Sequence, residues 1–344
     1  MIVSALRNGM DIKVSVLIPV HNGATTIRTT LESVLQQTRP PDEIIAMDDG
    51  STDETARILK SYESRITILS QANSGVSAAR NALVAKSCGD LIAFIDSDDI
   101  WHPEYLETHV KLFERFPKAA AIFLEHLNFG GLGKFDWNTK PIEPISENGI
   151  TIELLEPLVF VRRFGKAPGP FVLSFCCLPR RVFTGIGPEP FRLREAEDVY
   201  FCNLLPFYGP IVYSAAPVLA AYRVREGSLA SNRLTCTQAE VTAFELLASR
   251  YEKTANPRLL SEFYKTFASK RRGFAKVLLG IGNTSDARRQ LLASLLDTCS
   301  VWSLVKSVAL LLISYLPELL QPAWPPAVRN WKPEDQASVR ELHC

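Results

Sequence analysis

The first hundred residues alternate between short apolar runs and longer segments in which apolar residues recur at helical spacing. Val14–Val20 has no clean alternation of polar and apolar positions, which predicts a strand buried on both faces. Ile27, Leu31 and Val34 then predict a helix. The same succession predicts strands at 43–47, 66–69 and 91–95 and helices at 52–62, 76–87 and after Pro103. Strands alternating with helices predict an α/β fold with a doubly wound, mostly parallel sheet.

Polar residues follow three of these predicted strands. In a doubly wound sheet the ligand crevice lies outside the carboxyl ends of the strands, so we expect these residues to share one rim. The rim residues are Pro19 and Val20 at the end of the first strand with the polar His21 and Asn22 after them, Asp48 and Asp49 at the second, and Asp96, Ser97 and Asp98 at the fourth.

The rest of the chain is patterned less regularly. From about Phe129 to Phe191 there are glycines, prolines and no sustained period, which predicts loops and short strands around a cleft. Beyond about Thr237 the chain becomes helical and basic. Because 344 residues exceed the usual size of a single core, we predict a domain over residues 1–236, with halves at 14–109 and 110–236, and a helical region over 237–344.

Composition narrows the class of protein. The formal net charge of +1 provides no global field that would attract nucleic acid, so no nucleic-acid partner is expected. The seven cysteines are not spaced as a disulfide framework or a metal knuckle, which favours a reducing compartment. The first residues lack an apolar core of signal-peptide length. We therefore expect a cytoplasmic protein.

The aspartates of the predicted rim suit a divalent cation. Asp96 and Asp98, one residue apart at a strand end, offer the hard oxygens that Mg²⁺ and Mn²⁺ prefer. Such a cation would neutralise a diphosphate leaving group. In isolation, the same spacing also fits a turn or a helix cap, and Asp99 in particular could cap the next helix. Several carboxylates at one crevice repel each other, so a cation or hydrogen-bond donors must compensate.

Two further segments border this rim. Asp48 and Asp49 stand where they can bond to a nucleobase or ribose. The residues from Asn73 to Asn81 open a helix with small side chains, which lets backbone groups approach a ligand. Arg80, one turn inside that helix, could contact a diphosphate or base, or could be an ordinary surface arginine.

Four motifs in this order resemble family 2 glycosyltransferases with the GT-A fold. They are VSVLIPVHNG, MDDGSTDET, NSGVSAARN and GDLIAFIDSDDIWHPEYLE, and the match is specific across residues 14–109. The resemblance implies that Val20 and Asp49 border the base of a nucleotide sugar, that Arg80 contacts the nucleotide, and that Asp98 holds the metal.

The resemblance continues more thinly on the acceptor side. Arg192–Tyr200 looks like the family's ED motif, which implies that Asp198 is the general base. The segment from Tyr222 to Ser231 resembles the family's YRxHxxSxS motif, but Arg225 stands in place of the histidine. Because arginine does not ligate cations under normal conditions, Arg225 is expected to contact phosphate rather than metal.

The sequence therefore predicts an inverting enzyme that moves a sugar from a nucleotide sugar, such as a UDP-sugar, to a hydroxyl of a glycan or a lipid-linked acceptor. A sugar-phosphate nucleotidyltransferase and a non-catalytic nucleotide-sugar-binding module are the alternatives. At the C-terminal end, Val301–Leu320 is about as long as a spanning helix, but Lys306 and Pro317 favour an interfacial or packed helix. Peripheral membrane contact and plain core packing both remain open for this region.

Overall fold

The computed structural model describes residues 12–130, 151–164, 172–224, 232–297 and 301–315. The strands in these ranges are β1 (Val14–Val20), β2 (Glu43–Asp49), β3 (Thr67–Gln71), β4 (Leu91–Phe94), β5 (Ile100–Trp101), β6 (Ala121–Leu124), β7 (His126–Phe129), β8 (Thr151–Leu155), β9 (Cys176–Pro179), β10 (Ile211–Ala216) and β11 (Ala220–Arg223). The α-helices are α1 (Ile27–Leu35), α2 (Thr55–Lys60), α3 (Val76–Lys86), α4 (Tyr105–Arg115), α5 (Pro157–Phe164), α6 (Arg180–Ile186), α7 (Glu197–Cys202), α8 (Arg233–Thr254), α9 (Pro257–Gly280), α10 (Thr284–Leu296) and α11 (Val301–Ile313).

The larger sheet has eight strands in the order β3-β2-β1-β4-β9-β6-β10-β8. β1 pairs in parallel with both β2 and β4, and β2 pairs in parallel with β3. β9 runs antiparallel to β4 and β6, and β8 runs antiparallel to β10. The predicted α/β fold with a doubly wound, mostly parallel sheet is confirmed. The strand order reverses between β1 and β4, which is the position where such sheets bind ligands.

The core of the sheet explains why β1 has no alternating pattern. All seven residues of β1 are buried, as expected for a strand with neighbours on both edges and both faces covered. Val16 and Ile18 belong to the same buried cluster as Ile27, Leu31 and Val34 of α1. The helical spacing in the sequence thus corresponds to the face of α1 that packs on the sheet, and each such side chain contributes about 1.5–3 kcal/mol by burial.

The middle of the chain contains more regular structure than its pattern predicts. The described part of 129–191 includes the short strands β8 and β9, in line with the prediction for this segment, but also the helices α5 and α6, which the pattern did not predict. β9 enters the large sheet between β4 and β6. Its four residues, Cys176–Pro179, are all buried, but a run of that length shows no measurable period. β5, β11 and β7 form a separate three-stranded sheet, which the sequence also did not indicate.

Gly50, in the turn after β2, is a position where we predict a large loss of stability. Its φ is +69°, and a Cβ atom placed on it would lie 2.6 Å from the backbone nitrogen of Asn73. We expect Gly50→Ala to lower the free energy of unfolding by about 2–4 kcal/mol, because backbone strain and a backbone clash combine. Urea unfolding measures this change.

Gly282→Ala is the matched control for that substitution. Gly282 has a φ of +81°, but nothing lies within 4 Å of the added Cβ atom. This variant should therefore cost only the strain of the left-handed backbone, about 1–2 kcal/mol. If both variants lose the same free energy of unfolding, the clash with the Asn73 backbone does not contribute to the loss at Gly50.

The chain divides into two compact units, one of residues 1–160 and 168–225 and the other of residues 161–167 and 226–344. In the second unit α9 packs against α8, α10 and α11. Asparagine side chains cap the starts of α8, α9 and α10 by accepting bonds from backbone N–H groups: Asn232, Asn256 and Asn283. Across the described ranges, we find no helix with the length and apolarity needed to cross a membrane.

Candidate functional site: a polar rim at the ends of β1, β2 and β4

The turn after β1 packs closely against the residues that follow β4. A Cβ atom on Gly23 would lie 2.8 Å from Val20 Cγ2 and 3.3 Å from the hydroxyl of Ser97, so only glycine fits without a shift. Pro19 and Val20 are themselves buried in β1. The structure thus brings the predicted residues of the first strand and Ser97 together at one place.

Hydrogen bonds join the turn after β1 to the turn after β2. Asn22 has a positive φ of 50°. Its N–H donates to the Ser51 hydroxyl at 2.9 Å, and its side-chain oxygen accepts from the Thr52 N–H at 2.8 Å. His21 Nδ1 lies 2.9 Å from the carbonyl oxygen of Asp49. Asn22 therefore fixes the shape of this corner of the rim.

The carboxylate of Asp49 is held at the N-terminus of α3. It accepts bonds from the backbone N–H groups of Ser74 at 2.9 Å and Gly75 at 2.8 Å, and from Gln71 Nε2 at 2.7 Å. A carboxylate is stabilised at this end of a helix by the free N–H groups and the helix dipole. The neighbouring Asp48 accepts from the Ser51 N–H at 3.0 Å. Both aspartates lie at the predicted rim, and their contact with a nucleotide remains a prediction.

Arg80 connects the two sides of the site. Its side chain is 4% exposed, and Nη2 donates to Asp96 Oδ1 at 2.7 Å while Nη1 donates to Glu197 Oε1. Burial by itself would lower the pKa of the guanidinium, but the charges of Asp96 and Glu197 raise that pKa above its ordinary value. Removing a partner from such a buried ion pair typically costs about 3–5 kcal/mol. Arg80 is therefore not an ordinary surface arginine.

Asp198 lies in the first turn of α7, directly after Glu197. Ala196 precedes this helix with a φ of +57°, an unusual conformation for a residue other than glycine. Asp198 Oδ1 accepts from the N–H of Val199 at 2.7 Å. Burial, together with the charges of Asp198 and Asp96, raises the pKa of Glu197 to about 7, although Arg80 opposes this shift. Glu197 is thus a largely buried carboxyl whose charge depends on its partners.

Asp98 and Asp99 pack against the end of β11. Arg223 Nε donates to the backbone oxygen of Asp98 at 2.7 Å, and the Arg223 N–H donates to Asp99 Oδ1 at 3.0 Å. Asp99 is fully buried, and burial together with the charges of Asp96 and Asp98 raises its pKa well above the ordinary value. The interpretation of Asp99 as a helix cap was wrong, because α4 begins only at Tyr105 and Asp99 instead holds β11.

The oxygen atoms at the rim show whether it could bind a metal ion. Asp96 and Asp98 are both partly exposed, and one oxygen of Asp96 is already bonded to Arg80. Among the residues that the structure describes, no group of three or more metal-binding side chains gathers at one point. Mg²⁺ is usually held by one or two carboxylates together with substrate phosphates and water. The two carboxylates therefore fit a cation that binds together with a phosphate-bearing ligand.

Two side chains that hold this rim together, Arg223 and Ser174, are not among the residues predicted from the sequence. Arg223 and Ser174 hold the residues after β4, and the Ser174 hydroxyl accepts from the Asp96 N–H at 2.9 Å. Arg223 could have been found, since it stands in the YR pair of the quoted motif, whereas Ser174 lies in the unpatterned segment and carries no signal. Arg225 lies outside the described residues, so its predicted phosphate contact is untested.

The fold is the GT-A type that is found in glycosyltransferases. The model of the family described as glycosyl transferase family 2 matches residues 15–182 of this chain. The chain is 35% identical over 116 residues to the glycosyltransferase GlyA of Streptococcus pneumoniae, covering 33% of this chain and 17% of GlyA. It is 43% identical over 97 residues to the putative glycosyltransferase EpsH of Bacillus subtilis, covering 27% of this chain and 28% of EpsH. The matches thus span less than a third of each of these relatives.

Two solved structures share the fold over most of the chain. S. aureus TarS 1-349 in complex with UDP-GlcNAc has a TM-score of 0.67 at 18% identity, over 88% of this chain and 89% of that one. The mannosyltransferase PcManGT from Pyrobaculum calidifontis, in complex with GDP-Man and Mn2+, has a TM-score of 0.54 at 18% identity, over 96% and 87% of the two chains. At these identities the likeness shows the fold.

Proposed function

We propose that this protein is an inverting glycosyltransferase that moves a sugar from a nucleotide sugar, a UDP-sugar in the first place, to a hydroxyl of a glycan or lipid-linked acceptor. The observation that carries the proposal is the position of Arg80, which joins Asp96 of the DxD triplet to Glu197, the neighbour of Asp198. A donor-side carboxylate and a candidate base thus belong to one connected site. The UDP-GlcNAc and GDP-Man in the structural relatives support a nucleotide-sugar donor.

Asp198 is the proposed general base. It takes the proton from the acceptor hydroxyl as that oxygen attacks the anomeric carbon from the face opposite the nucleotide. The new bond forms as the bond to the diphosphate breaks, the electron pair leaves with the diphosphate, and the anomeric configuration inverts. Asp98, with Asp96, would hold Mg²⁺ or Mn²⁺, and this cation would supply charge neutralisation at the departing diphosphate.

A screen of nucleotide sugars tests the proposal. A true donor, added with Mn²⁺ at about 100 times its Kd, should stabilise the fold by about 2.7 kcal/mol. It should also be hydrolysed slowly to free sugar and nucleoside diphosphate. Release of pyrophosphate from a nucleoside triphosphate and a sugar phosphate would instead identify a nucleotidyltransferase. Tight donor binding without turnover, with or without acceptors, would identify a binding module.

A lipid bilayer is the proposed partner of the C-terminal unit, because α11 packs its polar side chains against the neighbouring helices and exposes its large apolar ones. Its serines face inward: Ser303 accepts from Arg272 Nη1 at 2.7 Å, and Ser307 accepts from the Ser294 hydroxyl at 2.8 Å. Its large side chains face outward, with Trp302 74% and Leu312 65% exposed. A packed soluble helix shows the opposite arrangement.

The chemistry of this outward face favours lipid over a second copy of the chain. Trp302 near one end and Tyr315 just past the other are aromatic residues of the kind that sit at membrane interfaces. The helix sequence contains one charge, Lys306, and no acid. Lys306 is exposed close to the helix midpoint, so two antiparallel copies would place like charges together, whereas anionic headgroups would attract it.

We predict that Leu312→Ser weakens binding to vesicles of phosphatidylcholine mixed with phosphatidylglycerol by about tenfold, because one exposed apolar side chain is lost from the contact. Co-sedimentation with the vesicles measures the partition coefficient. Leu246→Ser, an exposed leucine on α8, is the matched control and should leave binding unchanged. Sedimentation of the chain alone as a dimer that dissociates in Leu312→Ser would support a second copy as the partner and contradict the lipid contact.

A further inference from the structure

One face of α3 binds the segment that leads into Asp198. Ser77, Arg80 and Asn81 lie three and four positions apart, so their side chains project from the same side of the helix. All three contact residues 191–197, which run to the start of α7 and are more than a hundred positions away in sequence. We call these three side chains the α3 latch.

Asn81 makes the most specific contact of the α3 latch. Its Nδ2 donates to the Phe191 carbonyl oxygen at 2.7 Å, and its Oδ1 accepts from the Phe191 N–H at 3.0 Å. This reciprocal pair satisfies both backbone groups of a residue outside any strand or helix. The ring of Phe191 is buried at the same place, stacked on Phe201 of α7 at 4.6 Å and edge-on to Phe94 at 5.6 Å.

The other two latch residues hold the remainder of the segment. The Ser77 hydroxyl donates to the carbonyl oxygen of Leu193. Arg80 then binds Glu197 with Nη1 and Asp96 with Nη2, and so joins the latched segment to the residues after β4. Both terminal nitrogens of the guanidinium are bonded to carboxylates of the chain, and Arg80 is buried.

We propose that the α3 latch sets the position of Asp198 relative to Asp96 and Asp98, and that Arg80 acts as a positioning residue rather than as a contact to the nucleotide. α7 has six residues and is preceded by Ala196 in a left-handed conformation, and a helix this short does not fix its own orientation. The latch supplies that orientation from α3. This inference rests on the proposed function for the catalytic role of Asp198. The contacts of the α3 latch with residues 191–197 do not depend on that role.

Hydrogen exchange tests the latch without any assay of activity. Asn81→Ala removes the two bonds to Phe191, and we expect amides in 191–203 to exchange about ten- to thirtyfold faster, because the segment loses two hydrogen bonds that restrain it. Lys86→Ala, on the opposite side of α3 and exposed, is the matched control and should change nothing in that segment. Unchanged exchange in Asn81→Ala would overturn the latch whatever the protein catalyses.

Kinetics separate positioning from a purely structural role. Asn81→Ala should lower kcat about tenfold with the KM for the donor unchanged, and should have no further effect on the residual kcat in an Asp198→Asn background. Equal losses in the two backgrounds would show that Asn81 acts elsewhere. If exchange responds as expected and no nucleotide sugar is turned over, the latch stands and the proposed function fails.

Arg80→Lys tests the role of the guanidinium, since one ammonium group cannot replace a fork that binds two carboxylates. We expect the same faster exchange in 191–203, a lower kcat, and unchanged affinity for UDP with Mn²⁺ in a thermal-shift titration. A tenfold loss of UDP affinity with unchanged exchange would assign Arg80 to the nucleotide instead and overturn this part of the inference.

Discussion

Replacing Asp198 with asparagine is expected to lower kcat for sugar transfer by about 10²- to 10⁴-fold, the usual contribution of a positioned general base. The amide keeps the size of the side chain and can still accept the bond from the Val199 N–H, so the turn that begins α7 should survive. What it loses is the ability to take a proton from the acceptor hydroxyl. Affinity for the donor should stay the same, because the base acts on the other substrate.

The matched control is Glu195→Gln, which makes the same carboxylate-to-amide change three residues earlier in the same segment. We expect its kcat to stay within about twofold of the wild-type value, because the half-buried Glu195 has no part in the proposed proton transfer. Initial rates with saturating donor, with and without acceptor, measure both variants. An Asp198→Asn enzyme with unchanged transfer would remove Asp198 from the mechanism and leave the base to be found elsewhere.

The amino-terminal half of the fold could be predicted because local pattern and tertiary environment agree there. β1 is buried along its whole length, so its sequence lacks a clean alternation of polar and apolar residues, and the packed face of α1 appears in the sequence as apolar residues at helical spacing. The rule that ligands bind at the carboxyl ends of parallel strands then places the aspartates at one rim. β9 and the three-stranded sheet could not be predicted, because strands of two to four residues are defined by their partners and not by their own sequence.

The candidate site was predictable in its residue types but not in its contacts. Arg80 was recognised as a residue of the rim, yet nothing local to α3 indicates that Glu197 lies beside it, since 117 positions separate the two. The burial of the serines of α11 could not be predicted from its sequence either. An apolar helix sequence is expected to pack its large side chains, but Ser307 is buried because Ser294 and Arg272 supply partners on neighbouring helices.

Replacing Asp98 with asparagine is the second change expected to have a large effect. The backbone oxygen of Asp98, which accepts from Arg223, is unaffected by the substitution, so β11 should stay in place. The side chain, however, loses the charge that a hard cation requires. We expect kcat/KM with Mn²⁺ to fall by about 10²-fold or more, corresponding to about 2.7 kcal/mol of lost transition-state stabilisation.

The effect of Mn²⁺ on donor binding tests whether the Asp98 carboxylate binds the metal or only lies near it. In the wild-type protein, Mn²⁺ should increase the thermal stabilisation by the donor, and chelation should abolish that increase. In Asp98→Asn the increase should disappear while metal-free donor binding stays the same. Glu104→Gln, a half-buried carboxylate six residues further on that makes no capping bond to α4, should behave as the wild type. A normal response to Mn²⁺ in Asp98→Asn would leave Asp96 as the carboxylate to test. Because Asp96 already holds Arg80, that result would mean that the cation and the ion pair compete for one side chain.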